Sequence, residues 1–253
     1  MSEMIVDAHM HIGAVFGVFA TNICAEHMLS IMDDFNISYG FVTAASSSLN
    51  HNLKLMGEVS KYPGRLFGFY WVNPKRSSIL DEVSRALKHG FVGLKFRPET
   101  DGYSLFNISL LDPILSYACR MRMLVYVHCS GYGVSHPNAL RHICSMYPEL
   151  KVIIGHMAQG SVDAIKVAED FDNVFLETST YRGFKVIEYA VNRVGSDRVL
   201  FGSDYPYSNI QMEISKIMNL KVSWDDKLKI MGLNSLSLLP SKPPLKEPLN
   251  LPY

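Results

Sequence analysis

Five side chains that can hold a divalent cation occur in a set order along this chain: His9 and His11 within Val6-Asp7-Ala8-His9-Met10-His11, then His128, His156 and Asp204. Neutral imidazoles and a carboxylate oxygen suit zinc or a similar first-row ion. Side chains two apart on a strand point the same way, so His9 and His11 can meet one ion from the end of a first strand. His128 closes Leu-Val-Tyr-Val-His, His156 closes Val-Ile-Ile-Gly-His and Asp204 closes Leu-Phe-Gly-Ser-Asp. Each alone reads as a hydrogen-bonded strand-end residue. Together they point to strand ends converging on one metal.

Positioning them requires parallel strands. Eight near-continuous apolar runs recur, about 4–9, 39–44, 66–72, 91–96, 124–128, 152–156, 173–178 and 198–204, the pattern of strands covered on both faces. Helix-length segments lie between them, at 25–35, 78–88, 110–121, 138–146, 161–170 and 184–194. Within 78–88, Ile79, Val83, Ala86 and Leu87 share one face, as in a helix packed on a barrel. The 195 residues from His9 to Asp204 cover seven strand-helix steps, which suits an α/β protein with the (β/α)8 TIM-barrel fold. An open doubly wound sheet is the rival. It would need a glycine-rich phosphate turn after the first strand, where His-Met-His-Ile-Gly stands instead. The expected organisation is a single barrel domain over 1–239, ending in a helix capped by Ser223, and a C-terminal tail over 240–253 that holds Pro240, Pro243, Pro244, Pro248 and Pro252.

A chain of 253 residues with 48% apolar content can bury a large core. Lysine plus arginine equals aspartate plus glutamate at 24 each, so net charge exerts no global pull toward nucleic acid or an anionic membrane. No apolar run reaches membrane-helix length and no basic leader precedes the first strand, so a soluble, cytoplasmic protein is expected. Cys24, Cys119, Cys129 and Cys144 lack CxxC spacing and read as reduced core thiols. Barrels of this sort often pair, so a homodimer is an expectation that no residue pattern requires.

The chain resembles the amidohydrolase superfamily, and more closely its amidohydrolase-related branch, which contains small metal-dependent hydrolases and zinc decarboxylases of aromatic and muconate-type acids. The resemblance is carried by Asp-Ala-His-Met-His-Ile-Gly at 7–13, Gly-Leu-Lys-Phe-Arg-Pro at 93–98, Leu-Asp-Pro-Ile-Leu at 111–115, Val-His-Cys-Ser-Gly at 127–131, Tyr-Pro-Glu-Leu-Lys-Val-Ile-Ile-Gly-His-Met at 147–157 and Arg-Val-Leu-Phe-Gly-Ser-Asp-Tyr-Pro at 198–206. It implies that His9, His11, His128 and Asp204 are metal ligands and that His156 polarises substrate or shuttles a proton. A strand-four lysine is carboxylated and bridges two ions in some members, a role open to Lys95. Departures also occur: Arg97 stands where the family usually has histidine, and Met-Ala-Gln-Gly follows His156 where it often has Met-Gly-Gly. Both bear on substrate choice more than on the metal.

The implied cofactor is a divalent metal, zinc by expectation, as one ion or, with Lys95 as bridge, two. Zinc lowers the pKa of its water to about 7, supplying a nucleophile at neutral pH. Asp204 and His156 are then the expected catalytic residues, Asp204 moving the proton and His156 donating to the developing oxyanion. Lys95, Arg97 and, after the seventh strand, Arg182 are candidate binders of an anionic substrate group. Cys129 follows His128 and faces away from the ion. The first reading is a hydrolase of a small, anionic amide or lactone. The alternative is a zinc-dependent decarboxylase of an aromatic or unsaturated carboxylic acid. A third is a metal-binding barrel without catalysis.

Overall fold

The computed structural model describes residues 4–15 and 21–239; the segment 240–253, expected as a proline-rich tail, lies outside the described residues. Eight parallel strands run in chain order around one sheet: β1 (Ile5–Val15), β3 (Ile37–Ala44), β4 (Leu66–Trp71), β5 (Gly93–Phe96), β6 (Leu124–His128), β7 (Val152–Gly155), β8 (Val174–Glu177) and β9 (Val199–Leu200). A short strand, β2 (Thr21–Ile23), pairs antiparallel with the end of β1 and has no counterpart in the sequence expectation. Helices follow the strands, beginning with Ala25–Asp34, Leu49–Val59 and Ile79–Lys88. The last of these buries Ile79, Val83 and Ala86 of the face its spacing predicts, half-buries Leu87, and also buries the charged Glu82, which pairs with Arg76.

The barrel closes between β1 and the chain beyond β9. Ala8 N donates to Phe201 O at 2.9 Å, Asp204 N to His9 O at 2.8 Å and His11 N to Tyr205 O at 2.8 Å. Regular pairing of β9 ends at Leu200, so the expected strand to Asp204 is shorter than the sequence suggests. The remaining residues complete the seam through single bonds. One of those bonds sets Asp204 beside His9.

Two apolar layers result. Val6, Ala8, Tyr39, Phe41, Phe69, Leu124, Tyr126, Ile153, Phe175 and Leu200 belong to a cluster that fills the barrel interior, distinct from the larger one under the helices. Two residues on from Phe41, Phe69, Tyr126 and Phe175 come Thr43, Trp71, His128 and Glu177, so the period of a strand places polar groups directly above an apolar plug. β1 departs from strict period because its pairing slips between Asp7 and Met10. This bulge lets Ala8 and His9, neighbours in sequence, both serve the interior.

Asp7 supports the bulge. Its Oδ1 accepts from His9 N at 3.0 Å and from Ser203 N at 2.9 Å, while its Oδ2 is buried without a partner. Burial pushes its pKa up from 3.8 to about 7, against the pull of the hydrogen bonds from Ser203 and His9. The native chain therefore holds a proton that the unfolded chain releases above 3.8, so this group's contribution to stability is full below about pH 4 and is lost as pH rises to about 7. Asp7→Asn should flatten that limb of the Tm-versus-pH curve of metal-free protein and match or exceed the parent at pH 8. Asp7→Ala should cost about 2–4 kcal/mol by stranding two buried N–H groups. Parallel curves for parent and Asp7→Asn would refute a buried, protonated Asp7.

Ser223 caps the final helical segment through a reciprocal pairing with Asp226. The single helix expected to Leu239 is instead Trp224–Leu228, a π turn at Lys229–Leu233, and Asn234–Leu238. Ile230 O accepts from Phe201 N at 2.9 Å, so a carbonyl of the π turn serves the sheet. Gly232 sits where a Cβ would lie 2.3 Å from Met4 O, which explains the glycine. Among the described residues no helix is long and apolar enough to cross a membrane. The four cysteines are free thiols.

Candidate active site

His9, His11 and Asp204 form a tight triangle above the interior plug. His9 Nε2 lies 3.0 Å from Asp204 Oδ1, His11 Nε2 lies 3.1 Å from the same oxygen, and the two imidazole nitrogens are 3.3 Å apart. The edge of a tetrahedron around a first-row ion with bonds of about 2.0–2.1 Å is about 3.3 Å. The donor set therefore has both the chemistry and the spacing of three ligands sharing one ion. His11 Nδ1 faces Ala44 O at 3.2 Å, which directs its other nitrogen inward. His9 stacks on Tyr126 with ring centroids 4.4 Å apart.

Electrostatics agree with a cation site. Burial, reinforced by the charge of Lys95, holds the His9 pKa well below its ordinary value; burial likewise lowers that of His11. Asp204 is held well below the ordinary carboxylate range: burial opposes its charge, but attraction to His9 and its close contacts with His11 and His9 outweigh burial. The shifts favour an ionised Asp204 and oppose protonation of the two imidazoles.

His156 and His128 complete the cluster. His156 Nε2 is 3.1 Å from His128 Nδ1, and the ligand atoms of His9, His156 and Asp204 all lie within 4.8 Å of one another. His128, at the end of β6, has its pKa lowered by burial and by neighbouring His156. The structure thus brings together all five residues, with His156 adjoining the triangle more loosely than the three members adjoin one another, and His128 in contact with His156.

The chain after β7 is held in an uncommon conformation. His156, Met157, Ala158 and Gln159 have φ of 55°, 47°, 48° and 57°, one turn of left-handed helix closed by Gln159 N donating to His156 O at 2.8 Å. For residues with a Cβ this costs roughly 1–2 kcal/mol each, so surrounding contacts must over-determine it. Met157 and Ala158 are fully buried, and the Tyr181 ring fills the place of a Gly160 Cβ. Glu177, with no exposed surface, accepts from His156 N at 3.1 Å, Tyr126 Oη at 2.7 Å, Ser179 Oγ at 3.0 Å and, at short range, Ser179 N. Gly155 and Gly202 leave the room this network needs, since a Cβ at either would lie 2.3 Å from Tyr126 Oη or Glu177 Oε1. Asp7, Tyr126, Glu177 and Ser179 were not singled out from sequence. The available signal was an acid inside or closing an apolar strand.

Lys95 is buried, with its Nζ 3.2 Å from His9 Nε2 and 3.8 Å from the centre of the Tyr126 ring. Burial lowers its pKa from 10.5 to about 7, Arg97 adding to the effect and Asp204 opposing it. Arg97 is half-buried, its guanidinium 5.8 Å from the centre of the Trp71 ring, and its charge acts on both Lys95 and His128. Trp71 donates from Nε1 to Asp101 at 2.8 Å. Trp71 and Tyr207 flank His11 with ring centroids at 6.5 and 5.0 Å. Arg182 is exposed in the segment after β8, apart from this cluster of contacts. Cys129 is buried, and burial pushes its thiol pKa up, which makes it a packing group rather than a nucleophile.

The chain has relatives among known proteins. A stretch of 113 residues is 28% identical to gamma-resorcylate decarboxylase of Polaromonas sp. (strain JS666 / ATCC BAA-500), covering 36% of this chain and 35% of that protein. The chain thus spans about a third of the length of the curated relative it matches. 5-Carboxyvanillate decarboxylase LigW from Sphingomonas paucimobilis superposes with a TM-score of 0.76 at 15% identity, covering 94% of this chain and 99% of that one. A dihydroxybenzoic acid decarboxylase from Polaromonas sp. JS666, solved with manganese and the inhibitor 2-nitroresorcinol, gives 0.73 at 17% identity, covering 92% and 96%. A probable 2-pyrone-4,6-dicarboxylic acid hydrolase from Acinetobacter baumannii gives 0.72 at 15%, covering 92% and 98%. At these identities the structural likeness establishes the barrel fold. The sequence model described as Amidohydrolase matches residues 6–240, and the chain belongs to that family.

Proposed function

We propose that this protein is a metal-dependent carboxy-lyase that removes CO2 from a small hydroxylated aromatic or unsaturated carboxylic acid. The observation that carries the reading is the pairing of a dication-sized triangle with two cations and an aromatic wall: Lys95 touches His9, and Arg97 lies over Trp71. Such a mouth suits a flat, anionic substrate. The decarboxylases among the relatives support the same choice, which puts the alternative of the sequence reading ahead of the hydrolase. The hydrolase stays as second reading because the pyrone dicarboxylic acid hydrolase shares the fold.

His9, His11 and Asp204 are the proposed holders of the ion, with His128 or His156 completing the set. When bound, a divalent cation supplies a Lewis acid that orients substrate oxygens and offsets their charge. His156, whose Nδ1 is surrounded by oxygens of Ser179 and Thr180, turns Nε2 inward and is the proposed proton shuttle, taking a proton from water at Nε2 and passing it to the substrate carbon as CO2 leaves. Asp204 is the second candidate for that proton. Lys95 and Arg97 hold the substrate carboxylate; Arg182 contributes at most from the rim.

Incubation with 2,6-dihydroxybenzoate and 5-carboxyvanillate, with manganese or zinc supplied, should release CO2 and, in D2O, place deuterium at the vacated ring carbon. Solvent 18O entering 2-pyrone-4,6-dicarboxylate without CO2 release from any acid would favour hydrolysis. Metal binding without either reaction would support an inert barrel.

Lys95 makes a separate prediction. As a plain ammonium it repels a dication in the triangle, so Lys95→Met should bind manganese more tightly than the parent below pH 7, with the difference closing above it. The metal-to-protein ratio should stay at one. A ratio of two in the parent that falls to one in Lys95→Met would instead establish a carboxylated bridging lysine.

A further inference from the structure

We propose that the buried pair Glu213–Lys216, on the helix Ile210–Met218, is a positioning device for the His156 imidazole, acting through the strained turn Ser179-Thr180-Tyr181. The inference rests on the catalytic reading of His156 above and extends it to residues outside the cluster.

The turn is the first link. Thr180 has φ of 58°, and Tyr181 N donates to Ser179 O at 2.7 Å, the i to i+2 bond of a γ-turn with positive φ at its centre. A β-branched residue is an outlier there, and such a turn persists only under external restraint. Glu213 and Lys216, only 5% and 6% exposed, supply that restraint from one face of the helix. Glu213 Oε1 accepts from Thr180 N at 3.2 Å and from Ser208 Oγ at 2.7 Å. Lys216 Nζ donates to Thr178 O at 2.6 Å, to Tyr181 O at 3.0 Å and, at short range, to Glu213. Three peptide groups of the turn and its flanks, 178–179, 179–180 and 181–182, are therefore held by one ion pair.

The turn in turn grips His156. Its Nδ1 lies 2.9 Å from Ser179 Oγ, 3.3 Å from Ser179 O and 3.2 Å from Thr180 Oγ1. Ser179 Oγ donates its hydrogen to Glu177, so it accepts from the imidazole. The proton of the neutral ring is thereby assigned to Nδ1, and Nε2 is left with its lone pair facing the cluster. Moving the turn would let the ring tilt or change tautomer.

A buried ion pair is weak support for stability, because desolvation of both charges offsets their attraction and an apolar pair of similar volume often does as well. The double variant Glu213→Leu with Lys216→Met leaves no unpaired charge, but it strands Thr180 N and the carbonyls of Thr178 and Tyr181, so Tm should fall by several degrees with the chain still folded at 25 °C, and the state of the His156 ring rather than Tm separates positioning from scaffolding. In the full chain labelled with 15N-histidine, both as purified and after chelation, the parent should show His156 fixed as the Nδ1-H tautomer. The double variant should show tautomer exchange there, and kcat on 2,6-dihydroxybenzoate should fall about 10- to 100-fold with KM within about twofold. Thr180→Gly, which accepts positive φ but lacks the hydroxyl, should do the same in part, and Thr180→Ser should restore the parent signal. A His156 signal unchanged in the double variant overturns the proposal whatever the turnover, as does a lost signal with unchanged kcat. A parent without turnover on any acid counts against the carboxy-lyase reading, and the tautomer signal alone then decides this one.

Discussion

Turnover should fall by about 10³-fold or more when Asp204 is replaced by asparagine, measured on whichever acid releases CO2 and with bound metal quantified in the same samples. Two roles proposed for this side chain are beyond asparagine. The first is to offer a dication a negative charge beside the imidazoles of His9 and His11, which lie 3.0 and 3.1 Å away. The second is to relay a proton, a role for which its low pKa makes it a weak base and which therefore needs a separate test. Metal content distinguishes the two contributions. Loss of metal along with rate assigns Asp204 chiefly to holding the ion, whereas retained metal with lost rate assigns it to proton transfer. A near-normal rate would remove Asp204 from the mechanism.

The largest loss of stability is expected from Glu177→Ala, at about 3–5 kcal/mol, because truncation strands buried donors that now share one carboxylate. Tyr126 Oη, His156 N, Ser179 N and Ser179 Oγ all donate to it, and none has another acceptor of equal geometry within this network. In a chain of this size that corresponds to a Tm lower by roughly 6–20 °C. Glu177→Gln should cost less but still destabilise, since its amide must present hydrogens to at least one of those donors. Denaturant titration of the metal-free protein checks both. A loss below about 1 kcal/mol in Glu177→Ala would show that the network contributes little to folding. The left-handed turn at His156 depends on the same carboxylate, so activity should decline in Glu177→Gln even where the fold survives.

Much of this site was legible before folding was considered. A His-x-His on an apolar strand, followed by histidine or aspartate closing later apolar runs at regular spacing, marks the ends of barrel strands, and those ends must face one another when the sheet closes. Lys95 and Arg97 were legible for the same reason, by parity within β5 and just beyond it. The supporting residues were not. Asp7 and Glu177 look like isolated acids in hydrophobic runs, and nothing adjacent in sequence says that one supports a bulge and the other accepts four hydrogen bonds. The helix Ile210–Met218 carried no motif, so its buried ion pair had no reason to be linked to His156, more than fifty residues earlier.

Local sequence determined the kinds of groups available and the strands that would carry them, since periodicity and side-chain chemistry are properties of short segments. Only the closed barrel decided their geometry. Asp204 lies beyond the paired part of its strand in a left-handed conformation, and it reaches His9 because the seam bond from its own N–H to the His9 carbonyl holds it there. The left-handed turn after β7 and the γ-turn after β8 likewise oppose the intrinsic preference of their residues. Such conformations are set by contacts between distant segments, whose combined hydrogen bonding and packing exceed the local strain, and no short window of sequence contains both sides of that balance.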